Sequence, residues 1–264
     1  MELKDKVAVI YGAGGAIAST VATAFAREGA RVYLSGPHVE KVERVAEAIA
    51  TAGGFARTAQ LDALDERAVD EHLGRVITQA GRVDISFNGI SLPQRGIQGV
   101  WLTDLSTEAF LKPIELYMRS HFITARAAAR RMGEQGAGVI LINTPEVSRL
   151  GMQHVGGMAS AWSAMEALMR NLSAELGPRG VRTVTIRSTG LPETPTIDVV
   201  YELHAQAMDI PKEGFLAFVE GMAHNRRQAT LREVADAAIF AASDRASGMT
   251  GATLNITGGM VVDW

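Results

Sequence analysis

Residues 7–18 read Val7-Ala8-Val9-Ile10-Tyr11-Gly12-Ala13-Gly14-Gly15-Ala16-Ile17-Ala18, and a helical pattern follows to about residue 28. An apolar run without polar alternation is how a strand reads when both faces of a parallel sheet are covered. The loop after it has no bulky side chain, and the helix behind it presents free N–H groups and the positive end of its dipole. That combination cradles a phosphate or pyrophosphate. With no ligand, the same stretch is simply a tight strand–helix turn.

Outward from this unit the rhythm repeats. Further strands are expected at Arg31–Leu34, Ala56–Gln60, Val83–Asn88, Val139–Asn143, Thr183–Arg187 and Thr253–Ile256. Helical patterns lie near 16–28, 38–52, 65–80, 106–132, 157–176 and 231–243. Such alternation means βαβ units with right-handed crossovers, hence an α/β class and a doubly wound parallel sheet of about seven strands. Two stretches break the rhythm. Residues 89–105 form an irregular connection with Pro93, Gly96 and Gly99. Residues 188–230 insert a Pro-rich stretch and helical pieces carrying Tyr201, Met208, Phe215, Phe218 and Met222. Insertions at the carboxyl ends of parallel strands are where ligands bind. The second one reads as an apolar substrate lid, or equally as residues that pack only on themselves.

Composition narrows the function. The 264 residues carry a net charge of −3, with 47% hydrophobic and 21% charged residues, so no basic footprint for nucleic acid exists. There is no cysteine, which excludes disulfides, thiolate metal sites and cysteine nucleophiles. No zinc-type His-Glu-x-x-His spacing occurs, and no metal site is expected. The N-terminus has no apolar signal run and no stretch approaches the roughly 18 apolar residues of a membrane span. The expectation is one domain over 1–264, cytoplasmic, with a small-molecule substrate.

Over nearly its whole length the chain resembles the short-chain dehydrogenase/reductase family, with a Rossmann-type fold. That family reads Thr-Gly-x-x-x-Gly-x-Gly at the first loop. Here Tyr11-Gly12 is followed by Ala16 and Ala18 at the second and third glycine positions, with Gly14 and Gly15 between. Asp62, followed by Ala63, matches the acid that contacts the adenine amine, and Asn88-Gly89-Ile90-Ser91 stands for the family's Asn-Asn-Ala-Gly under the adenine ribose. Gly190 and Thr194 fit a Gly-x-x-x-Thr whose threonine contacts the nicotinamide amide. The resemblance therefore implies a nicotinamide dinucleotide held by Gly12, Gly14, Gly15, Ala16, Ile17, Ser35, Asp62, Ala63, Asn88, Gly89, Gly190 and Thr194. The second strand ends Leu34-Ser35-Gly36-Pro37-His38, without the acid that holds an NAD ribose. This mildly favours NADP over NAD, with Ser35 and His38 as candidate phosphate contacts.

The family's chemistry uses a tyrosine acid, a lysine four residues on that tunes it, a serine about thirteen residues earlier and an asparagine in the preceding helix. Leu168–Leu176, then Pro178 and Gly180, match the family's helix and allow a gapless count. Met158 falls on the tyrosine, Trp162 on the lysine, Pro145 on the serine and Tyr117 on the asparagine. Met158, Trp162, Met165, Met169, Leu172 and Leu176 also form one apolar stripe. Acid–base work is then expected from other groups bordering the pocket: Tyr117, Glu146 and His154, with His121 and Tyr201 nearby.

The expected function is an NAD(P)-binding oxidoreductase with an atypical active site and an apolar small substrate. Two alternatives stand beside it. One is a non-redox isomerase, dehydratase or cyclase on the same scaffold; the other is an inactive dinucleotide-binding or partner subunit. The resemblance implies a homodimer or homotetramer built on the helices near 106–132 and 157–176 and the tail Met260–Trp264, or a hetero-oligomer for the inactive subunit.

Overall fold

A computed structural model describes residues 1–262. Of the expected interface tail, Asp263 and Trp264 lie outside the described residues. Seven parallel strands form one sheet in the order β3-β2-β1-β4-β5-β6-β7. They are β1 (Val7–Tyr11), β2 (Arg31–Gly36), β3 (Phe55–Gln60), β4 (Ile85–Asn88), β5 (Gly138–Pro145), β6 (Val181–Ser188) and β7 (Ala252–Ile256). The helices are α1 (Ala16–Arg27), α2 (Val39–Thr51), α3 (Glu66–Ala80), α4 (Thr107–Gln135), α5 (Met158–Leu176), α6 (Pro195–Ala207), α7 (Lys212–Met222) and α8 (Leu231–Ala242).

Alternate side chains of each strand enter opposite layers. Ala8 and Ile10 of β1 pack with Phe25 of α1 and Val234 of α8. Val7, Val9 and Tyr11 pack with Leu73 of α3, Met132 of α4 and Met165 of α5. Full burial on both faces is the reason the strands read as bare apolar runs. Each fully buried large apolar side chain such as Phe25 contributes roughly 1.5–3 kcal/mol.

The strand edges refine the sequence reading. β4 begins at Ile85 rather than Val83, because the Gln135 side chain takes both backbone groups of Val83 and the Asp84 carboxylate takes the Val7 N–H at 2.8 Å. β5 runs on to Pro145, paired in register with Ser188. Chain direction reverses its spread between β1 and β4, which are neighbours in the sheet. Open α/β sheets bind ligands at this switch point, beyond the carboxyl ends of the strands. The insertion after β6 supplies α6 and α7, whose Tyr201, Phe215 and Val219 form a separate apolar cluster with Met260.

Candidate active site

One cleft of about 200 Å³ opens at the switch point. Its floor begins at the first loop. Gly12 has φ +67°, and a Cβ there would lie 2.9 Å from backbone atoms of Gly89 and Ile90. Only glycine meets both demands, since an L side chain is strained at positive φ and has no room here. α1 starts at Ala16 behind Gly15, with no side-chain cap and no acid in its first turn. The first N–H groups of the helix therefore keep their free donors. Gly15, Ala16 and Ile17 line the cleft.

Gly89 explains the unusual Ala18. A Cβ on Gly89 would sit 2.7 Å from the Ala18 Cβ. The methyl group that the family pattern lacks on the helix is accommodated by the side chain that Gly89 lacks on the β4 loop. Asn88 is fixed from α4: its amide donates to Thr124 Oγ1 at 3.0 Å, and its side-chain oxygen accepts the Ile90 N–H at 3.1 Å. The buried His121 ring bonds the Tyr117 carbonyl through Nδ1 at 2.9 Å, and burial lowers its pKa to about 4, so it is neutral.

The other expected dinucleotide contacts sit as follows. Asp62 is exposed and caps its own turn through Leu64 N–H, with Ala63 buried beside it. Ser35 is fully buried and donates its hydroxyl to the Ile10 carbonyl at 3.3 Å, inside the sheet. His38 is exposed at the start of α2. Gly14 packs on Lys41, whose Cβ would lie 2.8 Å from an added Cβ. Gly190 and Thr194 line the cleft, and the Thr194 hydroxyl caps α6.

At the far end the cleft collects Tyr117, Pro145, Glu146 and Trp162. Trp162 tilts against Tyr117, with ring centroids 6.2 Å apart. Met158 is fully buried, outside the lining, and extends the apolar stripe of α5 into the core. His154 is likewise outside the lining; it is buried at φ +61° against Trp101, at 4.3 Å. Burial pushes the Tyr117 hydroxyl well above the ordinary tyrosine value, which makes it a poor acid.

Glu146 differs from all of these. It follows Pro145 in a short 3₁₀ turn and is 6% exposed. Burial pushes its carboxyl up to about 7, against bonds from its own N–H and that of Gly190. Its Oε2 has no partner. Tyr201 of α6 stands close enough for the Glu146 charge to raise its phenol further, after burial, and the phenol donates to Gln228 Oε1.

Behind the cleft lies a network that the sequence reading missed. Glu166 and Arg187 are each 3% exposed and pair at 2.8 Å. Thr144 and Ser148 donate to Glu166 Oε1 at 2.9 and 2.5 Å. Burial raises the Glu166 pKa, but Arg187 and these hydroxyls outweigh it and hold the carboxyl below its ordinary value. The network ties the segment 144–148, which carries Glu146, to α5 and β6. The one signal in the sequence is an acid inside the apolar stripe of α5. Gln94, Gln98 and His204 also line the cleft and were not anticipated. Among the described residues, no group of three or more His, Cys, Asp or Glu is placed to hold a metal, and no helix is long and apolar enough to cross a membrane.

Comparison with known proteins identifies the family. The family model described as enoyl-(acyl carrier protein) reductase matches residues 12–261. A D-threitol dehydrogenase of Mycolicibacterium smegmatis is 30% identical over 261 residues, covering 98% of this chain and 94% of that protein. An L-rhamnose 1-dehydrogenase (NAD(P)(+)) of Azotobacter vinelandii is 31% identical over 276 residues, covering 100% and 99%. The crystal structure of an NAD+-bound xylitol dehydrogenase superposes with a TM-score of 0.91 at 23% identity, over 98% of this chain and 100% of that one, and so shares the fold. Fold, glycine loop, switch-point cleft and relatives converge: the chain belongs to the short-chain dehydrogenase/reductase family of oxidoreductases.

Proposed function

We propose that this protein transfers a hydride between a nicotinamide dinucleotide and a small, uncharged alcohol or carbonyl compound, with Glu146 as the group that handles the proton. The observation carrying this reading is the Glu146 carboxyl itself. It is buried in the same cleft as the free helix N-terminus, has an unpartnered oxygen, and titrates near 7. A general acid–base works best when its pKa lies near the operating pH.

The residues present fit the dinucleotide. The close packing of Gly12 on the Gly89 loop shapes the turn before α1, and the N–H groups of Ala16 and Ile17, which line the cleft, are left without a cap to meet a pyrophosphate. Gly14 and Gly15 complete the loop, Asp62 and Ala63 serve the adenine, Asn88 and Gly89 the ribose, and Gly190 and Thr194 the nicotinamide end. When bound, the dinucleotide supplies or accepts the hydride. The chain then has one proton to manage. In oxidation, Glu146 Oε2 accepts the proton of the substrate hydroxyl; in reduction, the neutral carboxyl returns it to the forming alkoxide. The Gly190 N–H orients the carboxyl, and the 144–148 network holds its backbone. Trp162, Met152, Ile197 and Val219 keep water from the site and give the substrate an apolar bed, with α6 and α7 as its lid. The absence of an acid at the end of β2, with Lys41 against Gly14, supports NADP over NAD; Ser35, turned into the sheet, supports neither. D-threitol and L-rhamnose, named for the two relatives, are uncharged alcohols, which agrees with this substrate class. No observation favours the non-redox or the inactive-subunit reading.

The test is Glu146→Gln. We expect kcat to fall by about 10²–10⁴-fold with dinucleotide affinity unchanged. Full activity in this variant would refute the role of Glu146.

A further inference from the structure

Facing the cleft from the 89–106 loop and α6 is a second polar group, with an internal logic of its own. Gln94, Gln98 and His204 are each 5% exposed or less. The His204 Nε2–H donates to Gln98 Oε1 at 3.0 Å. Gln98 Nε2 donates to Gln94 Oε1 at 2.7 Å, and Gln94 Nε2 to the Leu92 carbonyl at 2.6 Å. Every donor in this chain points the same way, ending on backbone. The imidazole is therefore locked in the Nε2–H form, which leaves Nδ1 as a lone-pair acceptor. Nδ1 is buried and has no partner. Burial and the adjacent His154 lower the His204 pKa to about 4, so the ring does not escape by protonation. Phe215 packs on the ring at 5.2 Å and holds it in place. An unsatisfied buried acceptor is rare in native proteins and calls for a donor.

The surroundings select that donor. Among the described residues, no lysine or arginine lines the cleft, and Glu146 is its one carboxylate. Phosphate- or carboxylate-bearing ligands find no counter-charge there. Along α6, His204 lies one helical turn beyond Tyr201, which faces Glu146. Apolar side chains, including Ile197 and Val200, line the same cleft.

We propose that His204, positioned by Gln98 and Gln94, is a hydroxyl-binding subsite, and that the substrate is an uncharged diol or hydroxyketone whose second oxygen, remote from the reacting one, donates to His204 Nδ1. The inference rests on reading the cleft as an alcohol–carbonyl site, with Glu146 at the reacting oxygen.

The experiment compares trans-1,4-cyclohexanediol with cyclohexanol, two compounds that share a ring and differ by the remote hydroxyl. Binding to the full chain is followed by ligand-observed NMR, with and without NADPH, and turnover with NADP+ and NAD+ is measured separately. We expect the diol to bind about tenfold more tightly, as one hydrogen bond to a fixed buried partner implies. His204→Phe should abolish the preference while leaving NADPH affinity unchanged. Gln98→Leu, which frees the imidazole tautomer, should reduce the preference and guards against a His204 variant that fails to fold. Equal affinities in the parent protein, no binding of either compound, or a preference that survives both substitutions would overturn the subsite. A retained diol preference without turnover would instead overturn the redox reading and leave the subsite standing.

Discussion

The two ends of the cleft are built by opposite means. At the dinucleotide end, shape comes from what is missing: Gly12 and Gly89 let the loops and α1 pack together without side chains, α1 has no cap, and the ionisable groups stand at the periphery. At the reacting end, position comes from buried polar side chains: Glu146, the Glu166–Arg187 pair, and the His204 chain. Backbone cradles tolerate no added atoms, whereas buried charge networks tolerate no removed partner. That difference tells the experimenter which substitution hurts where, and it can be broken at three points of decreasing size.

The largest stability effect is expected behind the reacting end. Glu166→Ala leaves the Arg187 charge buried without its carboxylate and should destabilise by about 3–5 kcal/mol. Equilibrium denaturation reads this directly. A loss below 1 kcal/mol, the range of an exposed pair, would mean that the network is not dry and that side-chain charge does not organise this end.

The second point is the titration of Glu146. Its folded pKa of about 7 exceeds its ordinary value of 4.5. Between those values the folded state holds a proton that the unfolded state has released, so the carboxyl lowers stability as pH rises through this window. Relative to Glu146→Gln, the parent protein should match at pH 4 and fall behind by about 3 kcal/mol above pH 7. His72, His121 and His204, held neutral with pKa near 4, act in the opposite sense, losing stability as pH falls below 6.5. They are common to both proteins and cancel in the difference. A pH-independent gap between the two would contradict a buried, uncompensated carboxyl.

The smallest point sharpens the dinucleotide end. Gly89→Ala alone should cost about 1–3 kcal/mol from overpacking against Ala18. Ala18→Gly alone should cost about 0.5–1 kcal/mol as a helix glycine. Together they should recover at least about 1 kcal/mol through coupling, because the two methyl positions compete for one space. Additive costs in a double-mutant cycle would show that Gly89 is not the partner of Ala18.

How far the sequence reaches follows the same division. The seven strands and the glycine loop were legible because two-sided burial and a strand–loop–helix turn are written in contiguous residues. Val83 misled because its backbone is satisfied by a side chain 52 residues away. At the reacting end, legibility fails with distance along the chain. Glu166 meets Arg187 only where α5 packs on β6, 21 residues along the chain, and His204 meets Gln98 across 106 residues. Counting from the α5 motif put Met158 at the family's tyrosine, yet which α5 side chains reach the cleft depended on helix rotation; Trp162 does and Met158 does not. Glu146 was named from its place after Pro145, but the burial that pushes its carboxyl up to about 7 could not be read there.

The most direct measurement is titration of the purified protein with NADPH and NADH, following nicotinamide emission. The expected result is saturable binding with a blue-shifted signal, tighter for NADPH, as for a ring enclosed beside Trp162 and Glu146. Absence of binding by either dinucleotide would contradict the account, because the uncapped start of α1 would then hold nothing and the cleft would have no hydride to exchange.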